Sequence, residues 1–200
     1  MRIVFAAAAM VATLIAGAAS AAEIGRVEID GRLVILNDDN RWEYASEAPA
    51  VSADCTDVAS EVVPVTLCLD PEKWTFADLG GEAEIKLRLK KSELYLLVIS
   101  EETEIDIPAL KKAAITNAQS ASGLTKVKTL SDGAASLDGH EFGKIEYATN
   151  VDGIDISYAN YMSTFDGKGS VQLVFFTSND LFDEMQSDIT EVIAGVKIGG

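Results

Sequence analysis

The chain carries one histidine, two cysteines and 32 acidic side chains, and these are the groups whose spacing could support chemistry. His140 lies in the polar run Asp138-Gly139-His140-Glu141. A general base needs a carboxylate to orient its ring and a nucleophile within reach. No nucleophile-elbow motif accompanies His140, so it reads as a turn residue and no catalytic residue is assigned. Cys55 and Cys68 are too far apart for a C-x-x-C redox pair. With a single histidine in the chain, they also cannot complete a structural zinc site. In an oxidising compartment the pair is expected to form a disulfide. Closing a loop of that length stabilises a fold by about 3 kcal/mol in the chain-entropy model.

The acidic candidates are Asp152, Asp155 and Asp166, each in or beside a turn. Brought together at one end of a sheet, their oxygens would suit Ca²⁺, or a cation serving a hydrolase. They do not match the EF-hand loop, and aspartates in turns commonly bond their own backbone. Glu101-Glu102-x-Glu104 is not diagnostic in so acidic a chain. Neither a Walker A loop nor a dinucleotide fingerprint is present, and no cofactor is expected. Tyr147, Tyr158, Tyr161, Phe175 and Phe176 either line a pocket or, as aromatics at period two more often do, fill a core.

The elements that must position these residues are clearest from Asp138 to Lys197. Ile145, Tyr147, Ile154, Ile156, Tyr158, Val171, Leu173 and Phe175 alternate as three strands do. Asp138-Gly139, Asp152-Gly153 and Asp166-Gly167 supply hairpin turns. Leu181, Phe182, Met185, Ile189, Val192 and Ile193 then mark a helical face. That helix is expected to be capped by Ser178 or Asn179, with Asp180, Asp183 and Glu184 in its first turn, and to stop at Gly195 before a short strand, Val196-Lys197-Ile198. Upstream, Ala83 to Lys90 alternates with one dry face. Leu94 to Ile99 is almost continuously apolar, as in a central strand covered on both sides. Asp106 and Pro108 open a helix to about Ala121, ended by Gly123, whose small-residue face predicts close packing on a sheet. Lys126 to Leu130 reads as a strand, Ser131-Asp132-Gly133 as a turn, and Trp74 as an aromatic seated on the core.

The first 22 residues differ in kind. Arg2 precedes an apolar, alanine-rich run, and Ala19-Ser20-Ala21-Ala22 offers small side chains for cleavage, the pattern of an export signal. An uncleaved anchor is the alternative; the break at Gly17 and the small-residue motif oppose it. The expected location is periplasmic or secreted, with no stable membrane insertion after cleavage. Residues 23–54 read as a β-hairpin and linker, and 55–200 as one α+β domain, an antiparallel sheet with helices packed on it. The whole chain has 16 basic residues against 32 acidic ones and a net charge of -16. Such a surface repels nucleic acid and favours basic or cationic partners, whether protein or small molecule.

From Trp74 to Ile198 the order of elements resembles the PsbP-like superfamily, which includes the extrinsic photosystem proteins and the yeast Ran-binding nuclear import factor. The resemblance rests on LYLLVISEETEIDIPALKKAAITNA (Leu94 to Ala118), GIDISYANYMSTFDGKGSVQLVFFT (Gly153 to Thr177) and LFDEMQSDITEVIAGVKI (Leu181 to Ile198). It implies an α/β/α sandwich and a non-enzymatic accessory or binding module, and it carries over no binding residue. GRLVILNDDNRWEY, from Gly31 to Tyr44, is also similar to a strand-turn-strand element at the start of many exported bacterial proteins. The expected function is therefore an exported, non-catalytic accessory or binding protein, against the alternative of a cation-dependent hydrolase or Ca²⁺-binding domain.

Overall fold

A computed structural model describes residues 23–29, 32–37, 42–44, 54–123 and 127–199. The export signal read at residues 1–22 and most of the linker read at 45–54 lie outside them. The chain divides into two compact units, residues 1–46 and 47–200. The first is an antiparallel meander of β1 (Glu23–Ile29), β2 (Arg32–Asn37) and β3 (Trp42–Tyr44). The expected hairpin is its second half, β2 and β3; β1 adds a third strand, pairing Arg26 to Ile29 with Ile35 to Arg32.

The second unit is built on a seven-stranded antiparallel sheet. Its strands are β6 (Trp74–Phe76), β7 (Ile85–Leu89), β8 (Tyr95–Glu101), β9 (Lys128–Leu137), β10 (His140–Val151), β11 (Ile154–Phe165) and β12 (Gly169–Ser178), in the spatial order β6-β7-β8-β12-β11-β10-β9. The β9–β10 and β10–β11 hairpins close through two-residue turns. Asp138 and Gly139 have φ of 48° and 76°, and Asp152 and Gly153 have φ of 52° and 88°. Two consecutive positive φ values match the right-handed twist of the flanking strands, which explains the Asp-Gly pairs. Ser131-Asp132-Gly133 is not a turn. All three residues pair with β10 inside β9, and Leu130, the extra residue of a bulge between Ser131 and Thr129, bends the strand instead.

One face of this sheet carries α1 (Ile107–Ser122). Asp106 caps it through the Ala109 N–H at 2.7 Å, and Gly123 ends it in the left-handed region with φ of 66°. Its Leu110, Ala114 and Ala118 pack with Ile145, Tyr147 and Met162 of β10 and β11. The expected close approach is sharpest at Gly143, where a Cβ would collide with the Ile107 side chain.

The other face is covered by α2 (Gln186–Ala194) and a small sheet of β4 (Thr56–Ala59), β5 (Val65–Leu69) and β13 (Val196–Ile198), in the order β13-β5-β4. Leu67, Ile189, Val192 and Val196 meet Leu96, Val98, Leu173 and Phe175 there, with Trp74 in the same core. The second layer is thus a helix and a sheet together. Cys55 and Cys68 are disulfide-bonded with Cα atoms 5.3 Å apart, tying the start of β4 across to β5. α2 begins later than its apolar spacing predicts. Residues 179–185 form turns, with Leu181 N–H to Ser178 O at 3.1 Å, and neither Ser178 nor Asn179 caps the helix. Asn179 is occupied elsewhere: its side chain accepts from Ser157 Oγ at 2.8 Å and its N–H reaches Asp155 O at 2.9 Å. Asp188 supplies the acidic residue of the first helical turn.

Candidate functional site

β11 runs the length of the main sheet, and its two ends separate the acidic candidates. Asp152 and Asp155 lie at its start and Asp166 just beyond its finish, about 35 Å of extended chain away at strand rise. The three aspartates therefore share no concavity. Asp155 instead accepts from Asn150 Nδ2 at 2.8 Å and lines a hollow with Asp180, Asn179 and Ile154. Among the described residues the one set of three potential metal ligands within reach of one another is Cys55, Asp57 and Cys68, whose two sulfurs are spent on the disulfide.

Asp166 belongs to a different constellation, a groove of about 280 Å³ lined by Pro64, His140, Thr164, Phe165, Asp166, Lys168, Ile198 and Gly199. Three segments build it: the loop before β5, the hairpins at the ends of β10 and β11, and the end of β13. The seam is held by Gly199 N–H to Pro64 O and by Ile198 N–H to Asp138 Oδ2, both 2.9 Å. His140 is the first residue of β10 and is half-buried. Its ring stacks on Phe165 with centroids 4.6 Å apart and meets Phe142 edge-on at 5.8 Å. Its Nε2 lies 3.3 Å from Thr164 O. Among the described residues the hydrogen-bonding partner of the imidazole is thus a main-chain carbonyl, not the hydroxyl and carboxylate of a triad. Asp166 and Lys168 stand exposed on the rim. The arrangement can hold a small ligand between an aromatic floor and a polar edge. Spacing in the sequence points to His140 and Asp166 separately, whereas Pro64, Lys168 and Ile198 carry no local signal because only the tertiary fold unites them.

The aromatics divide between core and surface. Phe175, Tyr161 and Tyr147 are core, the last beneath α1. Tyr147, Tyr158, Phe176 and Tyr95 form a stacked row across β10, β11, β12 and β8, with successive centroids 4.8, 5.9 and 5.0 Å apart. Burial pushes the phenols of Tyr147 and Tyr158 upward, the former also through the charge of its neighbour. On the opposite face of β10, Lys144 forms a 2.8 Å ion pair with Glu146 and lies 5.5 Å from the Tyr161 ring centroid. Burial opposes the Lys144 charge, but Tyr161 and Glu146 together outweigh it and hold the ammonium above its ordinary value.

No family model matches the chain, and no curated protein matches it in sequence. Solved structures do. The solution structure of cyanobacterial PsbP (CyanoP) from Synechocystis sp. PCC 6803 superposes with a TM-score of 0.55 at 15% identity, over 78% of this chain and 98% of that one. The crystal structure of LpqN, involved in cell envelope biogenesis of Mycobacterium tuberculosis, superposes with a TM-score of 0.51 at 14% identity, over 72% of this chain and 90% of that one. Among the described residues no helix is long and apolar enough to cross a membrane. The chain has a PsbP-like fold.

Proposed function

We propose that this is an exported, non-catalytic binding or accessory protein, and that the His140 groove is its small-molecule recognition site. The observation that carries this reading is the setting of His140: its ring is stacked on Phe165 and its nitrogen faces a carbonyl, an arrangement suited to holding a ligand and not to relaying protons. The disulfide agrees with export, as does the envelope role given for LpqN. A non-enzymatic role is also what the PsbP-like resemblance implies. The ligand is a small cation with an apolar body. Asp166 offers the carboxylate, Phe165, Ile198 and Pro64 the apolar wall, and a chain of net charge -16 concentrates cations at its surface. Lys168, on the same loop as Asp166, selects against a second positive charge.

A thermal-shift series tests this with tryptophanamide, tyrosinamide and their neutral N-acetyl forms. A probe at 100 times its Kd stabilises the folded state by about 2.7 kcal/mol, so the cationic forms should raise the melting temperature of the protein and the neutral forms should not. The rise should disappear in Asp166→Asn, an exposed substitution. Equal shifts for charged and neutral probes, or an unchanged rise in Asp166→Asn, would overturn the assignment.

A further inference from the structure

The continuous apolar run of β8 is that of a strand covered on both faces, yet the described residues cover it on one. Leu96 and Val98 are fully buried against the small sheet and α2. Tyr95, Leu97 and Ile99 point to the other face and remain partly open to solvent. Register places Phe176 and Val174 beside Tyr95 and Leu97 on that same face. Val174 is buried, whereas Tyr95, Leu97, Ile99 and Phe176 are only partly so and belong to neither apolar core: the one under α1 is confined to α1, its flanking segments, β10 and β11. The shelf formed by β8 and β7, with Phe176 of β12 at one end, therefore lies alongside α1 with an apolar floor.

The outer edge of the shelf is basic. Lys86 and Arg88 stand opposite Leu97 and Tyr95 on that face, and Lys90 and Lys91 follow in the turn. Four of the chain's 16 basic residues thus fall in six positions of a chain whose net charge is -16. Lys86 donates to Gly81 O and Lys90 to Pro71 O, while Arg88 is exposed with its charge turned to solvent. Glu101 closes the far end of β8, and the intervening positions of β12 on this face, Gln172 and Val174, are uncharged.

We infer that this shelf is a docking site for an amphipathic α-helix of a partner protein, lying beside α1 with its apolar stripe on Tyr95, Leu97, Ile99 and Phe176 and an acidic flank along Lys86 and Arg88. Such a helix completes the layer that α1 begins and covers the open face of β8. Its recognition follows the helix-in-groove mode, with apolar anchors at i, i+3, i+4 and i+7 and charge setting orientation. The site is separate from the His140 groove, which shares none of these residues.

The test uses the protein without its first 22 residues and two fluorescent synthetic helices of 18 residues, with Leu and Phe at the anchor positions and either Glu or Lys on one flank. The Glu helix should bind at least tenfold more tightly than the Lys helix in 0.15 M salt. Arg88→Glu, an exposed change that should leave the melting temperature in place, should cost the Glu helix at least tenfold and improve the Lys helix. Amide resonance shifts should map to Tyr95, Leu97, Ile99 and Phe176. Equal affinity for both helices, shifts centred elsewhere, or no binding of the Glu helix would overturn the proposal. So would a dimer that Leu97→Asp dissolves, which would give the shelf to a second copy. Binding of phosphatidylglycerol vesicles with the same Arg88 dependence in place of the helix would give it to a membrane surface.

Discussion

At the scale of single residues, small side chains and turn aspartates do more to shape this protein than any reactive group. Gly143 lets α1 lie close on β10, because a Cβ there would run into Ile107 and Lys111. Gly143→Val should destabilise the fold by about 1–3 kcal/mol in urea denaturation through overpacking. Gly133→Ala, whose Cβ meets nothing within 4 Å, should stay within about 0.5 kcal/mol of the parent. The aspartates show how far residue type alone carries. The Asp-Gly pairs correctly mark the β9–β10 and β10–β11 turns, since only a few residue types tolerate two positive φ angles in succession. Ser131-Asp132-Gly133 has the same composition and is strand, because nine residues of pairing to β10 outweigh local preference. Whether Asp152, Asp155 and Asp166 meet was not legible locally, since it depends on which end of β11 each occupies. Their separation predicts that 5 mM Ca²⁺ will move the thermal midpoint no further than NaCl of equal ionic strength does. A saturable rise specific to Ca²⁺, lost in Asp155→Asn, would contradict it.

At the scale of elements, the hydrophobic period identified β7, β8, β10, β11, β12 and both helices, while β1, β4, β5 and β6 were not read from it and the remaining differences have physical causes. α2 starts at Gln186, well after Leu181, because Asn179 is engaged by Ser157 and by the Asp155 carbonyl and cannot cap a helix. β8 reads as a doubly covered strand, and only its Leu96 and Val98 are sealed; sequence cannot say whether the cover for the rest comes from the same chain. The β4–β5 hairpin depends most on its cross-link, since β4 is four residues long and mostly exposed. Reduction, or the double change Cys55→Ser and Cys68→Ser, should lower stability by about 3 kcal/mol. Chemical denaturation with and without reductant checks this. A loss below about 1 kcal/mol would mean that Leu67 and Leu69, buried under α2, hold the hairpin without the bond.

At the scale of the whole molecule, several buried ionisable groups push stability in the same direction. Tyr147, Tyr158 and Lys144 all have folded pKa values above their unfolded ones. A raised pKa means that the folded state holds its proton more tightly, so the stability it contributes is complete below the unfolded value and is lost as pH rises past it. With unfolded values near 10 for Tyr and about 10.4 for Lys, stability should be level with respect to these groups up to about pH 10 and fall above it. Tyrosine absorbance should then show part of the phenols ionising only as the fold is lost, a component that Tyr147→Phe removes. The groove, by contrast, was only half legible: His140 and Asp166 could be singled out, but their union with Pro64, Lys168 and Ile198 is a product of the packing of β13 against the β9–β10 turn. Because His140 is the chain's only histidine, its ring proton gives one uncrowded resonance that reports on the groove directly. The central claim, recognition without catalysis, is tested most directly by titrating tryptophanamide and its phenyl ester analogue while following that resonance and the probe's own signals in one sample. The account predicts a saturable shift of the His140 signal with the probe intact over a day beyond its spontaneous hydrolysis. Accelerated cleavage of the ester that His140→Gln abolishes, or a His140 signal indifferent to the probe, would contradict it.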